Sequence, residues 1–342
     1  MPAYALLAAC THDAQYDDRR KELEAFRTEH VPAANRAQLI ASGGNRLFWV
    51  DNAPPADATI MHSIIPGDPT SQVDYAFPVQ ESDLSIYRFS DQLIVDCDFG
   101  TSKVFAADQP NLEIDTSSAG FQGCAVDGGT IYAVVGQNTL RRWDPPAEPV
   151  DNFFDFVAAG ITSSIGGFAV EGNLAVAVDA TGDLYAVDLA ARTSKWLRND
   201  EDVSGSVLFD DRGVLYEAPS GLRYIEFADV EEPPERSFAD MVADGGYHMN
   251  SSHGDIQEPS SPREIAIRGR HIIYRGKRGI FAYGLDTQNV IDLLLDEGEG
   301  FDAVLEYGEP VVTPNDQLFV RSGDGFDLRE AVYQVDLTGR LR

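Results

Sequence analysis

The sequence predicts an all-β domain assembled from seven similar units, and three observations carry that prediction. The first is the texture of the chain after Val31. Apolar runs of roughly four to six residues, rich in Val, Ile, Tyr and Phe, are broken by Gly, Asp, Asn or Pro, as strands joined by tight turns are. The second is a recurring turn, found at Gly43-Gly44-Asn45, Ser90-Asp91, Asp127-Gly128-Gly129, Glu171-Gly172-Asn173, Asp210-Asp211-Arg212-Gly213, Arg268-Gly269-Arg270 and Pro314-Asn315-Asp316. The spacing is roughly 40 to 50 residues, with one interval near 57, which matches the period of a propeller blade. The third is that runs such as "LAVAVDA" and "HIIYRGK" are apolar almost throughout. Continuous runs belong to sheets packed on both faces, as blades are. The prediction is therefore a β-propeller, with seven blades favoured within a range of six to eight, preceded by a short helix.

The bulk composition is compatible with this. A chain of 342 residues suffices for two ordinary domains or one large repeat domain. Acidic residues outnumber basic ones 56 to 26, giving a formal net charge of −30. Such a field repels nucleic-acid phosphate and anionic lipid head groups, so no nucleic-acid partner is expected. Solubility in saline surroundings and a coding bias toward Asp, Arg and Ala explain the excess about equally well. No apolar run reaches the roughly eighteen residues of a transmembrane helix.

Taken in order, the chain divides into an N-terminal segment (1–12), a helical tether (13–36) and the propeller (37–342), which carries a loop insertion at 242–263. Leu7-Ala8-Ala9-Cys10 resembles the lipobox of bacterial lipoproteins, in which the cysteine thiol is acylated. The segment before Cys10 has no Lys or Arg and is short for a signal peptide. The resemblance implies export and a lipid anchor, which would be the only membrane contact. The next stretch, "DAQYDDRRKELEAFRTEH" from Asp13 to His30, is read as one helix with a thin apolar stripe of Leu23, Ala25 and Phe26.

Within the blades, second strands such as "NRLFWVD" and "TIYAVVG" are followed by third strands such as "TLRRWD", "DLYAVDL" and "AVYQVDL". The Asp closing a third strand is expected to accept backbone N–H groups of the turn that follows. In "GDLYAVDLAARTSKWL" that residue is Asp188, and Trp196 is expected to fill the gap between neighbouring blades near the rim. This stretch resembles the repeat of pyrroloquinoline-quinone-type propellers, a unit also found in the propeller lipoprotein of the outer-membrane barrel-assembly machinery. The resemblance covers one blade well and implies the fold, not quinone chemistry. The last blade has almost no fourth strand of its own, so closure by the segment near Val31 to Ile40 is expected, since pairing the termini removes sheet edges.

Candidate functional residues are few. His248, Asn250, His253 and Asp255 sit in the polar insertion, where they could bind a divalent metal or a partner. Asp324, Asp327 and Glu330 are oxygen ligands without the spacing of a calcium loop. Asp179 and Asp183 read as a hairpin turn. Cys97 and Cys124 either form a disulfide or are buried as small hydrophobes. Lactonase-like propellers build a metal site from Glu, Asn and Asp at blade starts, and Glu171, Asn173 and Asp127 are residues of those types. The leading expectation is a cell-envelope scaffold that binds a protein or a glycan. The alternative is a metal-dependent hydrolase or lyase with its site at the central funnel.

Overall fold

A computed structural model of the chain describes residues 16–31, 37–53, 58–75, 87–97, 102–109, 113–117, 123–199, 203, 207–210, 212–219, 221–227, 235–244, 265–276, 279–297, 306–308, 310–324 and 327–341. Its strands form seven antiparallel sheets. Six are four-stranded meanders in sequence order, opening with Ala37–Gly43, Tyr87–Phe89, Gly123–Asp127, Ile165–Glu171, Val207–Phe209 and Ile265–Arg268 (blades 1 to 6). The first strands neighbour one another in a closed ring, with Val311–Thr313 completing it between blades 6 and 1. The fold is the expected seven-bladed propeller. All seven turns singled out in the sequence join the first and second strands of a blade.

The core lies in the seams between blades. Each of seven apolar clusters draws on two consecutive blades. In the second strand of blade 4, Ala175 and Ala177 face blade 3 while Val176 and Val178 face blade 5. Alternate residues of one strand thus enter opposite seams, which is why the run is apolar at every position.

The expected helix runs only over residues 16–24 (α1). Arg27–Val31 is instead a strand that pairs with Asp327–Asp336 and supplies the fourth strand of blade 7. Closure is therefore made by Arg27–Val31, and Ala37–Gly43 opens blade 1. Sheet completion outweighs helix propensity here, because Asp327–Asp336 would otherwise present an unpaired edge. Arg27 clamps the join: its guanidinium lies 4.5 Å from the Tyr333 ring centroid and hydrogen-bonds the Tyr307 hydroxyl. Nor does α1 hang free. Leu23 is buried in the seam of blades 5 and 6, and the Tyr16 hydroxyl donates to the Asp296 carbonyl at 3.1 Å.

A second helix, α2 (Phe238–Asp244), was not expected. It buries Phe238, Met241 and Val242 in the same seam. Val242 therefore belongs to the packed framework and not to a polar insertion.

Candidate functional site

Because each blade is an antiparallel meander, its first-to-second and third-to-fourth connections emerge on one face of the ring. The second-to-third and blade-to-blade connections emerge on the other. On the first face the turns lock neighbouring blades together. Gly172 N donates to Asp127 Oδ2 at 2.8 Å, and Ser90 Oγ donates to the Gly128 carbonyl. Arg268 reaches Asp316 Oδ1 and the Pro314 carbonyl. Gly172 has φ +60, a conformation open mainly to glycine. A Cβ on Gly43 would lie 2.6 Å from Ser90 N, so this turn packs directly on the next blade.

A charged cluster of this face sits over blades 5 and 6. Arg270 bridges Glu226 Oε1 and Asp286 Oδ1, each at 2.9 Å. Its hydrogen bond to Asp286 holds the guanidinium firmly charged and draws the Asp286 carboxyl below its ordinary value. His271 next to it is pushed down by burial. Sequence reading missed this bridge because its three members lie on different connections.

The candidate residues separate between the faces. Asp127, Glu171 and Asn173 lie on the interlocked face, where one Asp127 oxygen is taken by the Gly172 amide. The insertion departs on the opposite face after α2, and His248, Asn250, His253 and Asp255 lie outside the described residues, as does Cys10. Asp324 and Asp327 are opposed across the last hairpin. Among the described residues no three His, Cys, Asp or Glu side chains form a group able to hold a metal ion. Nor is any described helix long and apolar enough to cross a membrane. Asp179 does act as a turn former, accepting from Thr181 N at 2.9 Å and Asp183 N at 3.0 Å. Asp188 behaves likewise, accepting from Ala190 N and Ala191 N.

Cys97 follows the second strand of blade 2 and Cys124 lies on the first strand of blade 3, with Cα atoms 5.9 Å apart and sulfurs at bonding distance. That separation suits a bridge between blades. Trp196 stands opposite Tyr185, which packs against the apolar cluster of blades 3 and 4. The residue that fills the seam with blade 5 is Leu197. Trp196 points from the other side of its strand, is only partly buried, and donates its indole N–H to Asp183 Oδ1 at 3.1 Å.

No known family profile and no curated protein sequence matches this chain. Solved structures do. The β-propeller domain of Cps50 (Swd1) from Myceliophteria thermophila aligns at a TM-score of 0.53 and 9% identity, covering 90% of this chain and 99% of that one. The computationally designed Ika8 protein aligns at 0.46 and 13% identity, over 90% and 97% of the two chains. BamB from Moraxella catarrhalis aligns at 0.44 and 11% identity, over 87% and 84%. At such identities the likeness is one of fold, and what this chain shares with the Cps50 domain is the β-propeller itself.

Proposed function

We propose that the protein is an exported scaffold of the cell envelope, tethered through an acylated Cys10, that holds a protein or a glycan on one propeller face. The observation that carries this reading is the contrast between the faces. One is committed to interlocking turns, as at Asp127–Gly172 and Arg268–Asp316. The other receives the long insertion, which leaves from a helix anchored by Phe238 and Met241. A loop carried on so rigid a base is where binding is normally built. His248, Asn250, His253 and Asp255 are its contact residues, able to hydrogen-bond a partner or to take a divalent metal.

The test is a deletion of residues 245–264 that leaves α2 intact. The melting temperature should stay near that of the parent, while cross-linking to envelope partners is lost. Unfolding of the variant would make the loop a packing element. Stoichiometric metal together with turnover of a lactone or ester would replace the scaffold by a hydrolase. Anchoring is tested separately: Cys10→Ser, expressed with its upstream region, should leave the membrane fraction.

A further inference from the structure

Two arginines among the described residues are buried, and their surroundings differ. Arg20, 7% exposed, meets three carboxylates: Glu24 at 2.6 Å, Glu297 at 3.6 Å and Asp17 at 3.7 Å. Arg46, 3% exposed, has no carboxylate among the described residues within ion-pair distance. It opens the second strand of blade 1, Arg46–Ala53, directly after the Gly43-Gly44-Asn45 turn. With Phe48 and Val50, its alternate neighbours, it faces blade 2. Both of its hydrogen bonds leave from Nη1, to Ser63 Oγ at 2.9 Å and to the Ser71 carbonyl at 3.0 Å. Nε is buried and, among the described residues, has no acceptor. One residue earlier, the Asn45 side-chain oxygen is likewise buried without a donor.

The groups that Arg46 does touch bring no negative charge, and a buried guanidinium left so is costly. Ser63 passes the bond on to the Tyr75 hydroxyl at 2.7 Å, and Tyr75 donates to the Ala107 carbonyl of blade 2. Burial pushes the Tyr75 phenol up to about 12, so this relay stays neutral. Asp68 feels the Arg46 charge, but its Oδ1 is committed to the amide and hydroxyl of Thr70 on the exposed turn. Asp91 of blade 2 packs on Gly44 and makes no ion pair with Arg46. The chain holds 56 acidic residues against 26 basic ones, so an arginine buried away from all of them is against the odds of its composition. Its Nε–Nη2 edge makes no hydrogen bond among the described residues. That edge carries two parallel N–H groups, the geometry that grips a carboxylate.

We propose that the Nε–Nη2 edge of Arg46 binds the carboxylate of a small organic acid at the seam between blades 1 and 2. The net charge of −30 repels every approaching anion, and a singly charged carboxylate meets less of that repulsion than a phosphate or a sulfate. Turning the Asn45 amide by half a rotation puts its NH2 where the unpaired oxygen stands, which gives a second donor on the same turn. The site lies on the interlocked face, away from the insertion, so it neither needs nor supports the scaffold reading.

The experiment follows the arginine Nε–H signals of the 15N-labelled full chain, with the Arg46 signal assigned through the bonds of its own side chain. Acetate should move that signal saturably, with roughly millimolar affinity. Acetamide, the neutral analogue of the same shape, should leave it in place, as should sodium chloride at equal ionic strength. Arg46→Lys keeps the charge and loses the fork, so acetate binding, read on the Asn45 backbone amide, should weaken about tenfold. A signal that acetate leaves unmoved, or that acetamide or chloride moves equally, overturns the site and leaves Nε to a buried water. A stronger response to phosphate than to acetate overturns the carboxylate as the ligand. Undiminished acetate binding by Arg46→Lys overturns the fork. If that variant does not fold, the comparison of acetate with acetamide decides alone, because it leaves the protein unchanged.

Discussion

Between blades 5 and 6 the apolar layer includes Tyr274, Phe281 and Tyr283 and is extended by Tyr16 and Leu23 of α1 and Phe238, Met241 and Val242 of α2. Between blades 7 and 1 the described apolar residues are Leu47, Trp49, Ile64, Phe319 and Val332, with Val311 packed against them. Across this second seam Ser42 Oγ donates to the Val312 carbonyl at 3.3 Å. Within blade 7 Gln334 donates to Gln317 at 2.7 Å, and within blade 1 His62 pairs with Asp74 at 2.7 Å while stacking on Trp49. The two seams join the same kind of sheet. They differ in what is added to the blades: α1 and α2 pack on the first seam, whereas blade 7 takes its fourth strand, Arg27–Val31, from the other end of the chain. Helices thicken the one seam, and a strand from the far end of the chain completes a blade of the other.

The largest expected effect breaks the seam of blades 7 and 1. Phe319 is fully buried there, so Phe319→Ala should leave a large cavity and cost about 3–5 kcal/mol in denaturant unfolding. Amides of Arg27–Val31 should then exchange with solvent well before those of Val290–Leu295, since opening starts where the ring is closed. A third kind of seam, covalently joined, sharpens the comparison. If Cys97 and Cys124 are bridged across blades 2 and 3, Cys97→Ser should cost about 3 kcal/mol by freeing the unfolded chain. A cost below about 1 kcal/mol would mean that the pair packs as two thiols.

In the thick seam Leu23→Ala should cost about 2 kcal/mol, at the low end for a buried leucine because many neighbours can relax over the gap. Limited proteolysis should then cut within α1 while the blades stay intact. The smallest effect is electrostatic. The hydrogen bond from His62 holds the Asp74 carboxyl below its ordinary 3.8, so the native state binds protons less readily than the unfolded chain there. This contribution is present above 3.8 and is lost as pH falls through the lower native value. Asp74→Asn should therefore flatten the acid end of the stability profile relative to wild type, without moving the neutral part.

Blade count, the turns and the second and third strands were legible in the sequence because they rest on local rules. Glycine or Asx turns recur at a fixed interval, and an apolar run such as Leu174–Asp179 can be satisfied only by burial on both sides. Asp188 was readable for the same reason, since its acceptor role depends on the next three residues. What sequence reading got wrong or left open depends on partners distant in the chain. Arg27–Val31 carries a helix-compatible pattern, and only Asp327–Asp336, about three hundred residues on, makes it a strand. Trp196 and Leu197 are adjacent, and a one-residue change of facing decides which of them enters the core. The bulge between Leu184 and Tyr185 sets that facing, and nothing local announces it.

The candidate site divides along the same line. The polarity of the insertion and the lone position of Cys10 are compositional, and composition is visible without a fold. That Asp127 serves the Gly172 amide, that Arg270 bridges Glu226 and Asp286, and that the Trp196 indole donates to Asp183 are facts of proximity. By itself the sequence determined the repeat, the two-sided burial of the blades and the acidic charge, because each is a property of residues counted along the chain. The tertiary structure decided how the ring closes, which seam is thick, and which side chains face outward. Those follow from strands meeting across long loops, where register and seam geometry override local preference.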